Sequence, residues 1–512
     1  MRKLLSLLLL AAGAVFPGEP LIGDSLIRNA LTEISAENAL AHTRVIAARL
    51  RYGNSQGFFD AAGYVARQAS AYGLANVRTE RFETDEPSWD AEAGELEING
   101  RTWTLNSHPL LIAQHSADAD LTAQVVEAGS KDVKGKIVLA PGDPKDVWRS
   151  AKGRGASAII CYPKGEYFGR KTLPDATLWS RAPSTAPVLM LSPNDGEALM
   201  AAVRSGETLT ARVLIRARRA RPGAIGMVMG EIPGKRKDRD IVLVAHLDEI
   251  GANDNASGCG ALLEALRAFK KLHPGQPERT IRFWWSTEIR SEEEYFRRHP
   301  EEAKKILLAI NLDEAGGDRG VANHMVMFQS PDWLPSYADD LFRWLAEEAG
   351  ERYAPAVREP DPMALDSKGT DQPWLTVHWK DEPVSDHLAF QKRNVGIRCM
   401  SLAVTSLHVI HTSLDTMERL DPTWMKRSTF MVLVPAMWLS NAGPRETQAM
   451  LEETFRRGAG RIALAKDLDF QLKIERNRLE SVRDLEPSIR VEPLRQRLEA
   501  VGQASRPTAK AR

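Results

Sequence analysis

The stretch Ile241-Val-Leu-Val-Ala-His-Leu-Asp248, followed by Gly251-Ala-Asn-Asp-Asn-Ala-Ser-Gly258, combines an apolar strand with a glycine-bracketed polar loop that opens a helix. His246 stands at the end of that strand, and Asp254 lies in the loop. Imidazole nitrogen and carboxylate oxygen are ligands of divalent metals, and Asp248 is near enough in sequence to accept the second ring proton of His246. This stretch therefore predicts a metal site at the end of a strand.

Strands and helices alternate on the C-terminal side of this stretch. Apolar runs over 281–286, 307–313 and 397–402 predict further strands, and the pattern over 257–271 predicts the first helix. Strands that are apolar throughout are typical of a mostly parallel sheet that is buried on both faces. The sequence thus predicts an α/β fold, with a mostly parallel, mixed sheet sandwiched by helices. Its functional site is expected beyond the carboxyl ends of the strands.

Length and composition fit a globular protein of several domains. The chain has 512 residues, of which 43% are hydrophobic and 27% charged, and 68 basic residues balance 68 acidic ones. Because nucleic acids and membrane surfaces select a basic excess, this balance argues against both kinds of partner. The three cysteines, Cys161, Cys259 and Cys399, are too scattered for a disulfide framework and predict buried thiols.

The pattern of apolar, charged and turn-forming residues changes several times along the chain. Arg2 and Lys3 precede an apolar run that ends at Phe16, which predicts a signal peptide and a secreted or periplasmic protein. Short apolar runs separated by glycines and prolines predict a small inserted α/β domain after Trp103. The predicted segments are the signal peptide (1–22), the first part of the main domain (23–104), the inserted domain (105–218), the rest of the main domain (219–445), and a peripheral helical extension (446–512) with a disordered tail from about Gln503.

Further carboxylates and one more histidine follow the later strands. Glu288 and Asp313 stand at strand ends, and His411 follows the last strand with Asp415 close by. Each residue alone has an ordinary explanation, such as a core histidine or, for Asp254, a helix N-cap. Their repeated position at strand ends favours a metal-dependent hydrolase. Asp386 and His387, before a short helix, are weaker candidates.

The order His, Asp, Glu, Asp, His along the chain resembles the co-catalytic zinc exopeptidases, which include bacterial leucyl aminopeptidase and glutamate carboxypeptidase II. The resemblance covers most of residues 24–440, and the inserted stretch around Val133-Lys-Gly-Lys-Ile-Val-Leu139 is similar to a protease-associated domain. It implies a zinc-aminopeptidase-like fold with that domain inserted. The matching motifs are Ala-His-Leu-Asp, Gly-Ala-Asn-Asp-Asn-Ala-Ser-Gly, Asn-Leu-Asp, Ser-Asp-His and His-Thr-Ser-Leu-Asp-Thr.

The resemblance also implies roles for individual residues. His246 and Asp313 would hold one zinc ion, and Asp254 would bridge to a second ion held by His411. Glu288 would be the general base that takes a proton from metal-activated water and passes it to the leaving amine. Asp248 would orient His246 and, like Glu288, act as a catalytic residue. Asp415 would orient His411. Asp386 and His387 would lie on the substrate side.

One position departs from the family pattern. The family usually has a second glutamate, a ligand of the second metal, directly after the base, whereas here Ile289 follows Glu288. Three explanations are open. Glu288 itself binds the metal, Glu292 reaches in from one helical turn further on as a replacement ligand, or the second ion is weak or absent.

The sequence therefore predicts an exported, metal-dependent exopeptidase, and specifically a zinc aminopeptidase that acts on peptides or small amides. One alternative is a binding protein on a catalytically impaired scaffold, which Ile289 favours. Another is an enzyme with a single metal, as in glutaminyl cyclases of similar fold. The sequence identifies no specificity pocket and leaves the oligomeric state open.

Overall fold

The computed structural model describes residues 20–167, 169–353, 362–380 and 384–506. The strands are β1 (Ala75–Thr84), β2 (Ser88–Ile98), β3 (Arg101–Thr104), β4 (Ala119–Glu127), β5 (Ile137–Pro141), β6 (Ala158–Tyr162), β7 (Glu166–Tyr167), β8 (Arg170–Lys171), β9 (Val188–Met190), β10 (Thr210–Ala220), β11 (Gly223–Ile232), β12 (Arg236–His246), β13 (Arg279–Ser286), β14 (Ile306–Asp313), β15 (Met325–Phe328), β16 (Thr376–Trp379) and β17 (Cys399–Ala403). The α-helices are α1 (Asp24–Glu33), α2 (Ala36–Ala47), α3 (Gln56–Ala71), α4 (Pro144–Lys152), α5 (Pro193–Arg204), α6 (Ala256–Leu272), α7 (Arg290–Arg298), α8 (Ala338–Tyr353), α9 (His387–Gln391), α10 (Pro422–Asn441), α11 (Pro444–Ala463), α12 (Leu468–Ser481) and α13 (Glu492–Ser505).

The larger sheet has eight strands in the order β1-β11-β13-β12-β14-β17-β15-β16. Its centre is parallel, since β12 pairs in parallel with both β13 and β14, and β14 pairs in parallel with β17. Antiparallel pairs stand on either side of this centre, between β1, β11 and β13 and between β15 and β17. The predicted mixed, mostly parallel sheet is therefore confirmed.

Both faces of the larger sheet are covered, which explains why its central strands are apolar throughout. Leu243 and Ala245 of β12 face a core that α1, α2, α6 and α10 also line. Val242 and Val244, one residue out of phase, face Phe296 of α7 and a ring of α9 on the other side. Because successive side chains of a strand point to opposite faces, two covered faces require an unbroken apolar run.

The inserted segment builds a second sheet of seven strands in the order β3-β2-β10-β4-β5-β6-β9. This sheet begins at Ser88 and not at the predicted residue 105, and it ends at Ala220. The difference arises because β2 pairs along its length with β10, a strand from the far end of the insertion. Such a pairing between distant segments leaves no local signal in the sequence. The buried core of this sheet includes Tyr52, from the segment between α2 and α3.

The C-terminal helices α11 to α13 share the core of the larger sheet and are not peripheral. Leu451, Phe455 and Leu479 belong to the same buried cluster as the central strands. Arg279 of β13, which is 2% exposed, donates hydrogen bonds to backbone carbonyls on both sides of α11 and α12, at Ala442 (2.8 Å) and Leu485 (2.7 Å). The extension therefore covers one end of the main domain.

Three other predictions concern the ends of the chain and its cysteines. Most of the predicted signal peptide lies outside the described residues, as do residues 507–512 of the predicted tail, while α13 continues through Ser505. Among the helices of the described ranges, none has the length and apolar character of a membrane span. Cys161, Cys259 and Cys399 are buried free thiols, as predicted.

Arg461 of α11 joins the extension to the main domain. Its guanidinium donates to Asp340 at 2.6 and 3.0 Å and to Glu475 at 2.7 and 2.8 Å, and both carboxylate side chains are only 1% exposed. Arg461→Ala removes this cation from two buried carboxylates, so we expect the free energy of unfolding to fall by about 3–5 kcal/mol. Chemical denaturation measures the change.

The matched control is Arg483→Ala, which removes an exposed ion pair with Glu480 on the same extension. A denaturation midpoint for Arg461→Ala equal to that of Arg483→Ala would contradict an integral role for the extension.

Candidate metal centre

The four ligands predicted from the sequence meet at one edge of the larger sheet. His246 and Asp313 are the last residues of β12 and β14, which are parallel neighbours. Asp254 lies in the loop between β12 and α6, and His411 lies in the loop that follows β17. The carboxyl ends of parallel strands share one edge of a sheet, so loops that leave them converge there.

A first ligand set consists of His246, Asp254 and Asp313. The Nε2 atom of His246 lies 3.1 Å from Asp313 Oδ1 and 3.5 Å from Asp254 Oδ1. The other oxygen of Asp313 accepts a hydrogen bond of 2.8 Å from the hydroxyl of Ser385, and this contact orients the carboxylate. One oxygen from each carboxylate thus faces the same imidazole nitrogen.

A second ligand set consists of Glu249, Asp254 and His411. The Nε2 atom of His411 lies 2.8 Å from Glu249 Oε2 and 3.1 Å from Asp254 Oδ2. Asp254 therefore presents one oxygen to each histidine. In each set, ligand atoms from all three residues lie within 4.8 Å of one another. Zinc–ligand distances of about 2.0–2.2 Å place two ligands of a tetrahedral ion about 3.3–3.6 Å apart. The 3.5 Å pair has this spacing, whereas the pairs at 2.8 and 3.1 Å are closer and would have to separate by a few tenths of an ångström around an ion.

The charges of this cluster also fit a cation. Burial and the charge of Asp254 raise the pKa of Glu249 to about 8. Burial disfavours the charged form of both imidazoles. Even so, Asp313 and Glu288 raise the pKa of His246 well above its usual value, and Glu249 and Asp254 do the same for His411. The carboxylates therefore favour positive charge between them, which a divalent cation can supply in place of the ring protons.

Backbone strain is concentrated around this centre. Glu249, Ile289 and His411 have positive φ angles of 78°, 59° and 57°, which non-glycine residues adopt at a cost of about 1–3 kcal/mol each. Arg51, which is fully buried, supports the strained loop. Its backbone N–H donates to the carbonyl of Glu249 (3.2 Å), and its guanidinium donates to the carbonyls of Leu247 (2.9 Å) and Gly251 (2.8 Å). Sequence reasoning missed Arg51, because its distance along the chain hides this contact.

Asp415 holds the backbone of the loop that carries Asp254, whereas the sequence suggested that it orients the ring of His411. Its two carboxylate oxygens accept hydrogen bonds from the backbone N–H groups of Asn253 (2.7 Å) and Asp254 (3.0 Å). The second ring nitrogen of His411, Nδ1, lies 2.7 Å from the hydroxyl of Tyr167 in β7. Sequence reasoning missed Tyr167, since it comes from the inserted segment, far from His411 along the chain.

The turn at Glu288 is held by two carboxylates. Asp248 accepts a hydrogen bond from the N–H of Glu288 (2.9 Å), and its Oδ1 lies 3.6 Å from His246 Nδ1, the nitrogen it was predicted to orient. Asp386 accepts a hydrogen bond from the N–H of Ile289 (2.9 Å) and is fully buried. It therefore positions this turn, instead of lining the substrate side as expected.

His387 is a core histidine and not a substrate-side residue. It is 2% exposed, and its ring is stacked on that of Phe328 with a centroid distance of 5.9 Å. Burial lowers the pKa of His387 to about 4, which keeps the ring neutral. The sequence placed it at the site because Ser385-Asp-His387 matches a motif of the family.

The two glutamates proposed to replace the missing ligand lie outside the second ligand set. Glu288 is half-buried, and burial together with the charges of Glu249 and Asp386 raises its pKa well above the usual value. Glu292 of α7 is fully buried, and the charge of Asp386 adds to burial in raising its pKa. Glu249 stands in the second set instead, beside Asp254 and His411. The available signal was a third acidic residue directly after Asp248.

Comparison with known proteins agrees with this geometry. Residues 227–435, a range that contains both ligand sets, match the family model for peptidase family M28. The resemblance to the co-catalytic zinc exopeptidases is confirmed. Aminopeptidase YwaD of Bacillus subtilis is 27% identical to this chain over 317 residues, which cover 56% of the chain and 65% of the relative.

A second curated relative matches a shorter part. Leucine aminopeptidase 1 of Pyrenophora tritici-repentis is 32% identical over 113 residues, or 19% of the chain and 29% of the relative. The chain thus spans less than two thirds of the length of each of these two relatives. Among solved structures, BSAP, a zinc aminopeptidase from Bacillus subtilis, matches with a TM-score of 0.56 at 21% identity. The match covers 80% of this chain and 95% of the BSAP chain. That likeness confirms the α/β fold.

Gly251 leaves space for the carboxylate that shapes the loop. A Cβ atom at this position would lie 1.9 Å from Asp415 Oδ2 and 2.8 Å from the carbonyl oxygen of Asp254. Because Asp415 must move, we expect Gly251→Ala to lower the free energy of unfolding by about 1–3 kcal/mol. We also expect zinc binding to weaken at least about tenfold, as after loss of an orienting contact.

Thermal unfolding and zinc titration of the metal-free protein measure both effects. Gly129→Ala is the control, since a Cβ atom there meets nothing within 4 Å. If Gly251→Ala matches Gly129→Ala in both measurements, Asp415 does not shape the loop in this way.

Proposed function

We propose that this chain is an exported, zinc-dependent aminopeptidase that hydrolyses peptides or small amides. The observation that carries the proposal is the place of Asp254, with one oxygen toward His246 and the other toward His411. Asp313 would complete the first zinc site and Glu249 the second. Two zinc ions would polarise the scissile carbonyl and lower the pKa of a bound water to about 7.

Glu288 is the general base in this proposal. Its carboxylate would take the proton from the attacking water and return it to the leaving amine. The pKa of Glu288 is raised by burial, which makes its carboxylate a stronger proton acceptor than an ordinary one. Asp248 and Asp386 hold the backbone on either side of the base, at Glu288 and Ile289, and so direct it toward the metal centre.

Glu249 favours the two-metal enzyme over both alternatives. The catalytically impaired scaffold and the single-metal enzyme were each suggested by Ile289, which removes a carboxylate from the second site. Glu249 returns a carboxylate to that site from another loop. Export through the signal peptide of residues 1–22, and the protease-associated class of the second sheet, stay predictions.

The role of Glu249 as a ligand is testable by zinc titration of the metal-free protein. We expect the wild type to bind two ions. Glu249→Gln should keep the ion at His246 and weaken the second by at least about 100-fold, because outer-sphere changes alone cost about 10–100-fold. Glu292→Gln is the matched control and should bind both ions. Loss of the second ion in Glu292→Gln, with both kept in Glu249→Gln, would reverse the assignment.

The role of Glu288 is testable by hydrolysis of aminoacyl anilides. We expect Glu288→Gln to lower kcat by about 10²–10⁴-fold while both zinc ions stay bound, because general base catalysis contributes about that much. A chelator should abolish wild-type turnover. A wild type that holds no metal and shows no chelator-sensitive turnover would refute the enzyme and leave the binding protein.

A further inference from the structure

His411 is held by two aromatic residues of the inserted segment. The backbone N–H of Trp179 donates a hydrogen bond of 2.8 Å to the carbonyl of His411, and the indole ring stands edge-on to the imidazole with a centroid distance of 5.4 Å. The Tyr167 hydroxyl approaches the same ring at Nδ1, at 2.7 Å. Both aromatic residues belong to the inserted segment, between β6 and β9.

The inserted segment is joined to the loop of His411 by backbone contacts. Thr177 and Ser413 exchange two hydrogen bonds, from Thr177 N–H to Ser413 Oγ (3.0 Å) and from Ser413 N–H to the Thr177 carbonyl (2.9 Å). Leu178 forms an antiparallel bridge with Thr412. Tyr167 lies on the neighbouring two-stranded hairpin of β7 and β8. The position of its hydroxyl is therefore tied to the docking of the segment.

The two nitrogens of His411 have different surroundings. Nε2 faces Glu249 and Asp254, whereas Nδ1 faces Tyr167. A ring nitrogen binds a cation only through a free lone pair, so a metal at Nε2 requires the ring proton on Nδ1. The hydrogen-bond partner at the distal nitrogen selects that tautomer and the ring orientation. The sequence suggested Asp415 as the partner of the distal nitrogen, but both of its carboxylate oxygens accept hydrogen bonds from backbone N–H groups of the loop.

We propose that Tyr167 is a positioning residue for the second zinc site, where it accepts a hydrogen bond from the Nδ1–H of His411. This inference rests on the proposed function, because it concerns the ion held by Glu249, Asp254 and His411. The first ligand set comes from β12, the loop that follows it, and β14, without the inserted segment. The inserted segment should thus control affinity at one of the two sites only.

Tyr167→Phe tests the proposal, since it removes the hydroxyl and keeps the ring. In zinc titrations of the metal-free full chain, we expect unchanged affinity for the first ion and about 10–100-fold weaker binding of the second. Titration with Co²⁺ gives a readout independent of activity: the absorption bands of the second ion should shift or lose intensity, while those of the first stay.

Two control variants separate the hydroxyl from general loosening. Tyr64→Phe removes a tyrosine hydroxyl that lies 2.8 Å from the Nδ1 of another histidine, His42, outside the metal centre. Ser413→Ala removes a single side-chain hydrogen bond between the inserted segment and the loop of His411, and it leaves the Ser413 N–H bond to Thr177 and the Leu178–Thr412 bridge, which keep the segment docked. Both variants should bind the second ion as the wild type does.

The outcomes distinguish this inference from the proposed function. A wild type that binds fewer than two zinc ions would refute the two-metal centre, and the inference with it. A two-ion wild type whose Tyr167→Phe variant binds both ions equally well would overturn the inference alone. Equal losses at both sites in Tyr167→Phe, or an equal loss of the second ion in Ser413→Ala, would also overturn it, because either would show a general structural effect.

Discussion

The carboxylate of Asp254, shared between two imidazoles, is the constraint on which the rest of the centre depends. A bridging group must be fixed in position and direction, because a small rotation would favour one ion over the other. Asp415 holds the backbone of the loop at Asp254, and Gly251 leaves the space that this carboxylate needs. The side chain of Asn255 then ties the start of α6 to the end of β14, through the carbonyl of Leu312 at 3.0 Å. The loop is thereby locked to the strand that carries the other ligand of the first site.

The part of the fold that the sequence predicts is the part that rests on local patterns. The apolar runs of β12, β13 and β14 mark strands buried on both faces, and polar residues at their ends mark one sheet edge. That logic suffices for His246 and Asp313. The same logic does not predict a role for Glu249. In extended backbone, the side chain of Glu249 would point away from that of its neighbour Asp248. The positive φ of 78° redirects its side chain toward His411, and no sequence pattern shows that angle.

Contacts between distant segments account for the other errors. The extension was predicted to be peripheral because its sequence is rich in arginine and glutamate, which usually face solvent. In the structure, Arg461 pairs with two buried carboxylates, and Arg279 reaches the extension from a central strand. The start of the second sheet at Ser88 is a similar case, since it is set by a partner strand near residue 220. Charge composition and local periodicity carry no information about either pairing.

The position of Glu249, in a different loop from the glutamate that is missing at position 289, has a chemical consequence for Glu288. If Glu288 had replaced the missing ligand beside Ile289, one carboxylate would have had to bind metal and carry protons. Glu249 removes that conflict, because it brings a carboxylate to His411 from the loop of the bridging aspartate. The backbone around Glu288 then stays fixed, because Asp248 accepts a hydrogen bond from the N–H of Glu288 and Asp386 accepts one from the N–H of Ile289. The strained φ angles of Glu249 and Ile289 mark the two turns that would carry the proposed metal ligand and the proposed base.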